Sequence, residues 1–130
     1  MNSNTCSDLV IINVLGKKYF EDCHIPGSIN IPEEQLATEM AFLDKDKTYV
    51  VHCASYHCPL GKKCAKLLKE ANFKVIEYPG GIVEWFQKGY PVKGPAQLDY
   101  LREENNQILD EDNSIETITA EDLLSQLELK

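Results

Sequence analysis

Apolar, β-branched runs alternate along this chain with segments whose apolar residues recur at helical spacing, which predicts an α/β domain on a mostly parallel sheet. The runs are continuous rather than alternating with polar residues, as strands are when both faces of a sheet are covered. At 130 residues with an apolar share of 43%, the chain is long enough for one real hydrophobic core and short for two.

The elements follow in order. Leu9 to Val14 (LVIINV) is too short for a typical helix and reads as a buried strand. Lys17 to Asp22 forms a short helix or turn, and HIPG after Cys23 is a turn signal. Ser28 to Ile31 (SINI) is a short strand ended by Pro32. Glu33 to Phe42 is helical, with Leu36, Met40 and Leu43 on one face and acids in the first turn to suit the helix dipole. The charged turn DKDK (Asp44 to Lys47) leads into the strand Thr48 to His52 (TYVVH). Pro59 suits the first position of a helix on which Leu60, Cys64, Leu67, Leu68 and Ala71 share a face, running to Asn72 as its C-cap. Lys74 to Tyr78 (KVIEY) is the next strand. Gly80-Gly81 then turns the chain into a helix, Ile82 to Lys88, stopped by Gly89 and Pro91.

Residues 1–94 make up the domain core on this reading, and residues 95–130 an acidic, helical C-terminal extension. Pro95 to Leu109 reads as an amphipathic helix with Leu98, Leu101, Asn105 and Ile108 along one side. Asp110 to Ser114 is a polar linker, Ile115 to Thr119 (IETIT) alternates like a strand, and Glu121 to Leu127 is a final helix. From Asp99 onward ten acids face only Arg102 and Lys130, so the whole net charge of −8 belongs to this end. Such acidity argues against nucleic acid as a partner and suits a solvated tail. No apolar run approaches the roughly 20 residues that span a bilayer. The start MNSNTCSDLV lacks the basic and apolar stretches of a signal peptide, so a cytoplasmic location and no membrane partner are expected. Five cysteines without framework spacing read as reduced thiols.

Three of those cysteines and two of the three histidines fall in YVVHCASYHCPLGKKC, Tyr49 to Cys64. A metal centre is disfavoured. Structural zinc sites draw on two separated ligand pairs, His52 and Cys53 would face opposite ways on a strand, and Cys64 belongs to an apolar helix face. A phosphate-cleaving cysteine needs an arginine after the loop. Here the sixth residue after Cys53 is Pro59, and the only arginine, Arg102, lies far along the chain. A sulfur-handling nucleophile fits better. Cys53 ends a strand just before a helix N-terminus, where backbone N–H groups of Ala54 to Cys58 and the helix dipole favour an anionic sulfur. Ser55, Tyr56 and His57 can supply hydrogen bonds or a proton. An inert loop on a binding scaffold stands as the alternative.

Three blocks give the chain a resemblance to the rhodanese-like (sulfurtransferase) superfamily over Leu9 to Gly94: HIPGSINIP (His24 to Pro32), YVVHCASYHCP, and GGIVEWFQKGYPV (Gly80 to Val92). The resemblance implies a three-layer α/β fold and places Cys53 at the position that carries sulfur as a persulfide, in the loop Ala54, Ser55, Tyr56, His57, Cys58. It implies no cofactor and no metal, a small sulfane-sulfur donor, and a thiol or protein acceptor. There are departures. Asn13-Val14-Leu15 stands where the family has Asp-Val-Arg, Cys23 replaces a glycine, and the longer loop has no arginine, leaving His57 or Lys62 as partial substitutes toward thiosulfate. Cys58 resembles the second loop cysteine of a subgroup. It is either a resolving thiol that attacks a persulfide or sulfenic form of Cys53, or a small residue fixing the turn before Pro59. A thiol redox protein using the Cys53–Cys58 pair and a silent binding module are therefore the alternatives to a sulfurtransferase.

Domains of this kind usually open with a strand and helix of the look I-T-x-E-E-L. The chain starts almost at its first long strand, while Glu116 to Leu127 (ETITAEDLLSQL) has that look. Either 115–127 supplies the opening element from the C-terminus, pairing beside Lys74 to Tyr78 within a monomer or across a swapped dimer, or it is a detached tail helix.

Overall fold

The computed structural model describes residues 8–108 and 112–127. Four strands, β1 (Leu9–Asn13), β2 (Ile29–Asn30), β3 (Thr48–His52) and β4 (Lys74–Glu77), form one parallel sheet in the order β2-β1-β3-β4. In β1 and β3 neighbouring residues face opposite ways, which is why both read as unbroken apolar runs. Ile12, Tyr49 and Val51 join one core layer, and Ile11 and Val50 join the other.

Helices α2 (Glu33–Glu39, continued by a 3-10 turn Met40–Phe42) and α3 (Leu60–Glu70) cover the first layer with Leu36, Cys64, Ala65 and Leu68. Leu67, expected on that face, lies at its edge and is partly exposed. The end of α3 is a Schellman motif. Asn72 takes φ +71, its N–H donates to Lys69 O, and Phe73 N–H donates back to Leu68 O at 3.0 Å. Helix α1 (Lys17–Asp22) leads to Cys23 and Ile25 in the second layer, where α4 (Gly81–Gln87) adds Ile82 and Trp85. Among the described residues no helix is long and apolar enough to cross a membrane.

The extension departs from the expected helix over Pro95 to Leu109. Only a 3-10 turn, Asp99–Arg102, forms, and Leu109 lies outside the described residues. Tertiary bonds override propensity here. The Asp22 carboxylate accepts the Gln97 and Leu98 N–H groups at 2.9 and 3.2 Å, and its carbonyl accepts Ala96 N–H at 2.7 Å. Ala96 sits at φ +53, and the chain is drawn across the sheet end so that Leu101 is fully buried. Arg102 is held locally, donating to Ala96 O and Leu98 O.

The expected strand Ile115 to Thr119 is reduced to a single parallel bridge of Thr117 with Glu77. Glu77 N–H donates to Glu116 O at 2.8 Å, and Ile118 N–H donates to Glu77 O at 3.0 Å. The segment crosses the β4 edge of the sheet, placing Ile115 in the first layer. Helix α5 (Ala120–Leu127) follows and places Ala120 and Leu123 in the second.

Candidate active site

Strand β3 delivers His52 and Cys53 to the carboxyl end of the sheet, and α3 begins seven residues after Cys53, at Leu60. His52 is fully buried, and its Nδ1 lies 2.9 Å from Cys53 O. A carbonyl only accepts, so Nδ1 carries the ring proton. Burial lowers this imidazole to about 4, the bond to Cys53 opposing, and it stays neutral near pH 7.

Cys53 forms the floor of the loop and is only 4% exposed. Its thiol donates to Cys58 O at 3.3 Å and also reaches the Cys58 sulfur. Backbone N–H groups of Gly61 and Ala54 bond the Cys53 sulfur, and those of Ala54 and Leu60 bond the Cys58 sulfur. The two sulfurs thus share the first-turn N–H groups of α3. One negative charge is favoured there and two are not. The Cys53 S–H bond pulls half-buried Cys58 down, and the same bond, with burial, pushes Cys53 up. One of the two sulfurs rather than both therefore carries a charge, and burial penalises it less on half-buried Cys58 than on Cys53, which residue pattern alone did not indicate.

The expected cradle of N–H groups from Ala54 to Cys58 is only partly formed. Cys58 N–H donates to Ser55 O at 3.1 Å and His57 N–H to Ser55 Oγ at 3.3 Å, so both turn back onto the loop. Tyr56 N–H donates outward, to Asn105 Oδ1 at 2.9 Å. Of the five, Ala54 alone gives its N–H to sulfur, joined by Leu60 and Gly61. Gly61 packs directly on the site, and a Cβ there would lie 3.6 Å from Cys53 Sγ and 3.5 Å from Cys53 N, in ordinary van der Waals contact.

Helix α4 grips the base of the loop. Ile82 N–H donates to Cys53 O at 3.1 Å and Val83 N–H to Ala54 O at 2.9 Å. Gly81, at φ +71, passes so close that a Cβ would stand 2.5 Å from Ala54 C and O. Glu84 of the same helix accepts the Tyr56 hydroxyl at 2.8 Å and the Tyr78 hydroxyl at 2.7 Å. Gly80-Gly81 was visible in the sequence as a turn, but no local signal marked Glu84, Tyr78 or Asn105.

Beside the loop lies a cleft of about 840 Å³, bounded by His57, Cys58, Lys62, Glu77, Gln107 and Ile108 among others. Lys63 and Lys66 also face it and pair with Glu33 at 2.7 Å and Asp112 at 2.6 Å. Cys23 and Cys64 stand apart, both buried and raised to about 11 chiefly by burial, and Cys6 lies outside the described residues. Among the described residues no group of three or more His, Cys, Asp or Glu is arranged to hold a metal ion.

Comparison with known proteins places this geometry in context. The chain is 29% identical over 93 residues to an HTH-type transcriptional regulator of Mycobacterium tuberculosis, a match that covers 72% of this chain but 41% of the regulator. It is 24% identical over 88 residues to a sulfurtransferase of Allochromatium vinosum, covering 68% of this chain and 81% of that protein. Among solved structures, a rhodanese-related protein of Thermoplasma volcanium superposes with a TM-score of 0.61 at 28% identity, covering 66% of this chain and 84% of that one. The family model of the rhodanese-like domain matches residues 2–88 of the 130, which takes in the whole sheet, the loop and α4, and by that match the chain belongs to the rhodanese-like domain family.

Proposed function

We propose that this domain is a sulfurtransferase that carries sulfane sulfur as a persulfide on Cys53, with Cys58 as the base that holds its proton. The observation that carries the proposal is the shared site of the two sulfurs at the N-terminus of α3, bonded by the N–H groups of Ala54, Leu60 and Gly61. An anionic sulfur or a persulfide is held there without an arginine. Cys53 is the carrier because its sulfur sits at the floor of the loop against the N–H groups of Ala54 and Gly61, whereas Cys58 stands on the outer limb facing the cleft.

In the first step Cys53 attacks the outer sulfur of a donor such as thiosulfate as its proton passes to the Cys58 thiolate. The sulfur–sulfur bond of thiosulfate breaks, sulfite leaves with the bonding pair, and Cys53 holds the sulfur. An acceptor thiolate, small or on a protein, then attacks the outer sulfur and leaves as a persulfide, returning Cys53 as thiolate. His57 and Lys62 line the cleft through which an anionic donor would come.

The contact of the two sulfurs favours one competing outcome. Once its proton has passed to the outer sulfur, Cys58 can attack the inner sulfur of the Cys53 persulfide, forming the Cys53–Cys58 disulfide and releasing the outer sulfur with that proton as hydrosulfide. Return to the thiol pair then takes a dithiol reductant. The likeness to a transcriptional regulator allows a third reading, a domain with a non-catalytic role.

Mass spectrometry of the full chain after incubation with thiosulfate separates these. Gain of one sulfur on Cys53 is the expected result, and loss of two hydrogens marks the disulfide. No change, or a gain that survives Cys53→Ser, refutes the proposal.

A further inference from the structure

The loop is tied to the rest of the molecule at two levels. Its base is held by α4, through the Ile82 and Val83 N–H groups on Cys53 O and Ala54 O. Its outer limb is held through Tyr56, two residues before Cys58. The Tyr56 hydroxyl goes to Glu84, and its N–H goes to Asn105, a partner 49 residues away. The other half of the Asn105 amide donates from Nδ2 to Gly80 O at 3.0 Å. Gly80 directly precedes α4, so one side chain fastens the outer limb to the support that also carries the base. Asn105 lies beyond the span matched by the family model, in a segment without regular structure.

We propose that Asn105 is a positioning residue of the sulfur-transfer loop, clamping the Tyr56 N–H to the Gly80 carbonyl so that Cys58 stays against Cys53. The Ala54 N–H serves the sulfurs and those of His57 and Cys58 close the local Ser55 turn, whereas the Tyr56 N–H is the point at which a distant residue sets the loop. Without the clamp, the outer limb is tied to α4 through the Tyr56 hydroxyl at the end of a long side chain, about which the backbone can pivot. Cys58 then moves relative to Cys53, and the hydrogen bond by which the two thiols share one charge weakens. The same segment brings Gln107 and Ile108 to the cleft that His57 and Cys58 also line. A stretch outside the family match thus both holds the loop and borders the acceptor's way in.

The activity arm of the test rests on the sulfurtransferase reading, whereas the reactivity arm does not. The full chain is compared as wild type, Asn105→Ala, and Asn106→Ala, whose side chain is exposed next door. Iodoacetamide alkylation of Cys53 and Cys58 is followed against pH by peptide mass spectrometry, alongside thermal unfolding. The first midpoint of the thiol pair is expected to rise by about one pH unit in Asn105→Ala and to stay put in Asn106→Ala. With thiosulfate as donor and cyanide as acceptor, kcat should fall about tenfold while KM for thiosulfate changes less than about twofold. An alkylation midpoint equal to wild type, even with a lowered melting temperature, makes Asn105 merely structural and overturns the proposal. Amide exchange in the unmodified chain gives a test that does not depend on the variant folding: Tyr56 N–H should be protected, and exchange at the free-peptide rate overturns the clamp. If wild type gains no sulfur, the sulfurtransferase reading fails, and the alkylation midpoints still decide the role of Asn105.

Discussion

Replacing Gly81 with alanine separates the two reasons a glycine stands there. At φ +71 any L-residue costs about 1 kcal/mol in the left-handed region. The new Cβ would also lie 2.5 Å from Ala54 C and O and 2.7 Å from Cys53 O. Those are backbone atoms, so relief comes only by parting α4 from the loop, which stretches the Ile82 and Val83 hydrogen bonds to Cys53 O and Ala54 O. Each such bond contributes about 1 kcal/mol. The expected loss is therefore about 3 kcal/mol, a large part of the roughly 5–15 kcal/mol by which a domain is folded. Gly89→Ala is the matched control. Its φ is +76, but a Cβ there meets nothing within 4 Å, so only the conformational cost of about 1 kcal/mol applies. Urea unfolding of the two variants should differ by about 2 kcal/mol, and alkylation of Cys53 and Cys58 should change in Gly81→Ala alone. Equal losses, or unchanged thiol reactivity in Gly81→Ala, would show that the loop does not rest on the α4 turn.

His52 makes folding pH-dependent. Its folded pKa of about 4 lies below the ordinary 6.5, so the unfolded chain binds a proton that the fold refuses. Its stabilising effect is complete above pH 6.5 and declines by about 3 kcal/mol in all as pH falls toward 4. Denaturant unfolding between pH 7 and 4.5 measures this slope, and His52→Gln should flatten it; an equal slope in that variant removes His52 as its source. Tyr56→Phe deletes one charge-assisted bond to Glu84 while leaving the Tyr78 bond in place. It should cost about 1 kcal/mol, read by urea unfolding, and a neutral result means the tether is not formed in solution. Leu123→Ala removes a fully buried side chain from the second core layer. A loss of about 3 kcal/mol is expected, and one below about 1 kcal/mol would mean that α5 does not pack as described.

Much of the fold is legible in the sequence because its elements are locally specified. The runs LVIINV and TYVVH are β-branched and bounded by turn residues, and the end of α3 is fixed by Asn72, one of the few residues that tolerate a left-handed conformation. The segment after Gly94 departs from its helical pattern for a physical reason. Leu98, Leu101, Asn105 and Ile108 do recur at helical spacing, yet Asp22 captures the N–H groups of Ala96 to Leu98 in a turn that puts Ala96 at φ +53, outside any helix, and the Asn105 side chain is captured by the loop. Neither capture leaves a mark within its own stretch of sequence. The site shows the same division. Cys53 at a strand end before a helix is a local pattern, whereas the preference of the charge for Cys58 depends on where two sulfurs and three N–H groups meet.

That preference changes how the second cysteine is to be understood. A thiolate on the outer limb beside the cleft is well placed to take the Cys53 proton, and also to attack a persulfide once it has formed. Which of the two prevails is a matter of geometry, because in-line attack on the inner sulfur needs Cys58 to swing behind the bond it breaks. A loop fastened at its base by α4 and on its outer limb by Asn105 and Glu84 opposes that swing. Fastening therefore favours a retained persulfide over the disulfide, and loosening the outer limb favours release of hydrosulfide. On this argument Asn105→Ala should raise the share of thiosulfate-treated protein found as the Cys53–Cys58 disulfide relative to the persulfide. An unchanged ratio would mean that the fastening does not govern how the two cysteines divide the sulfur.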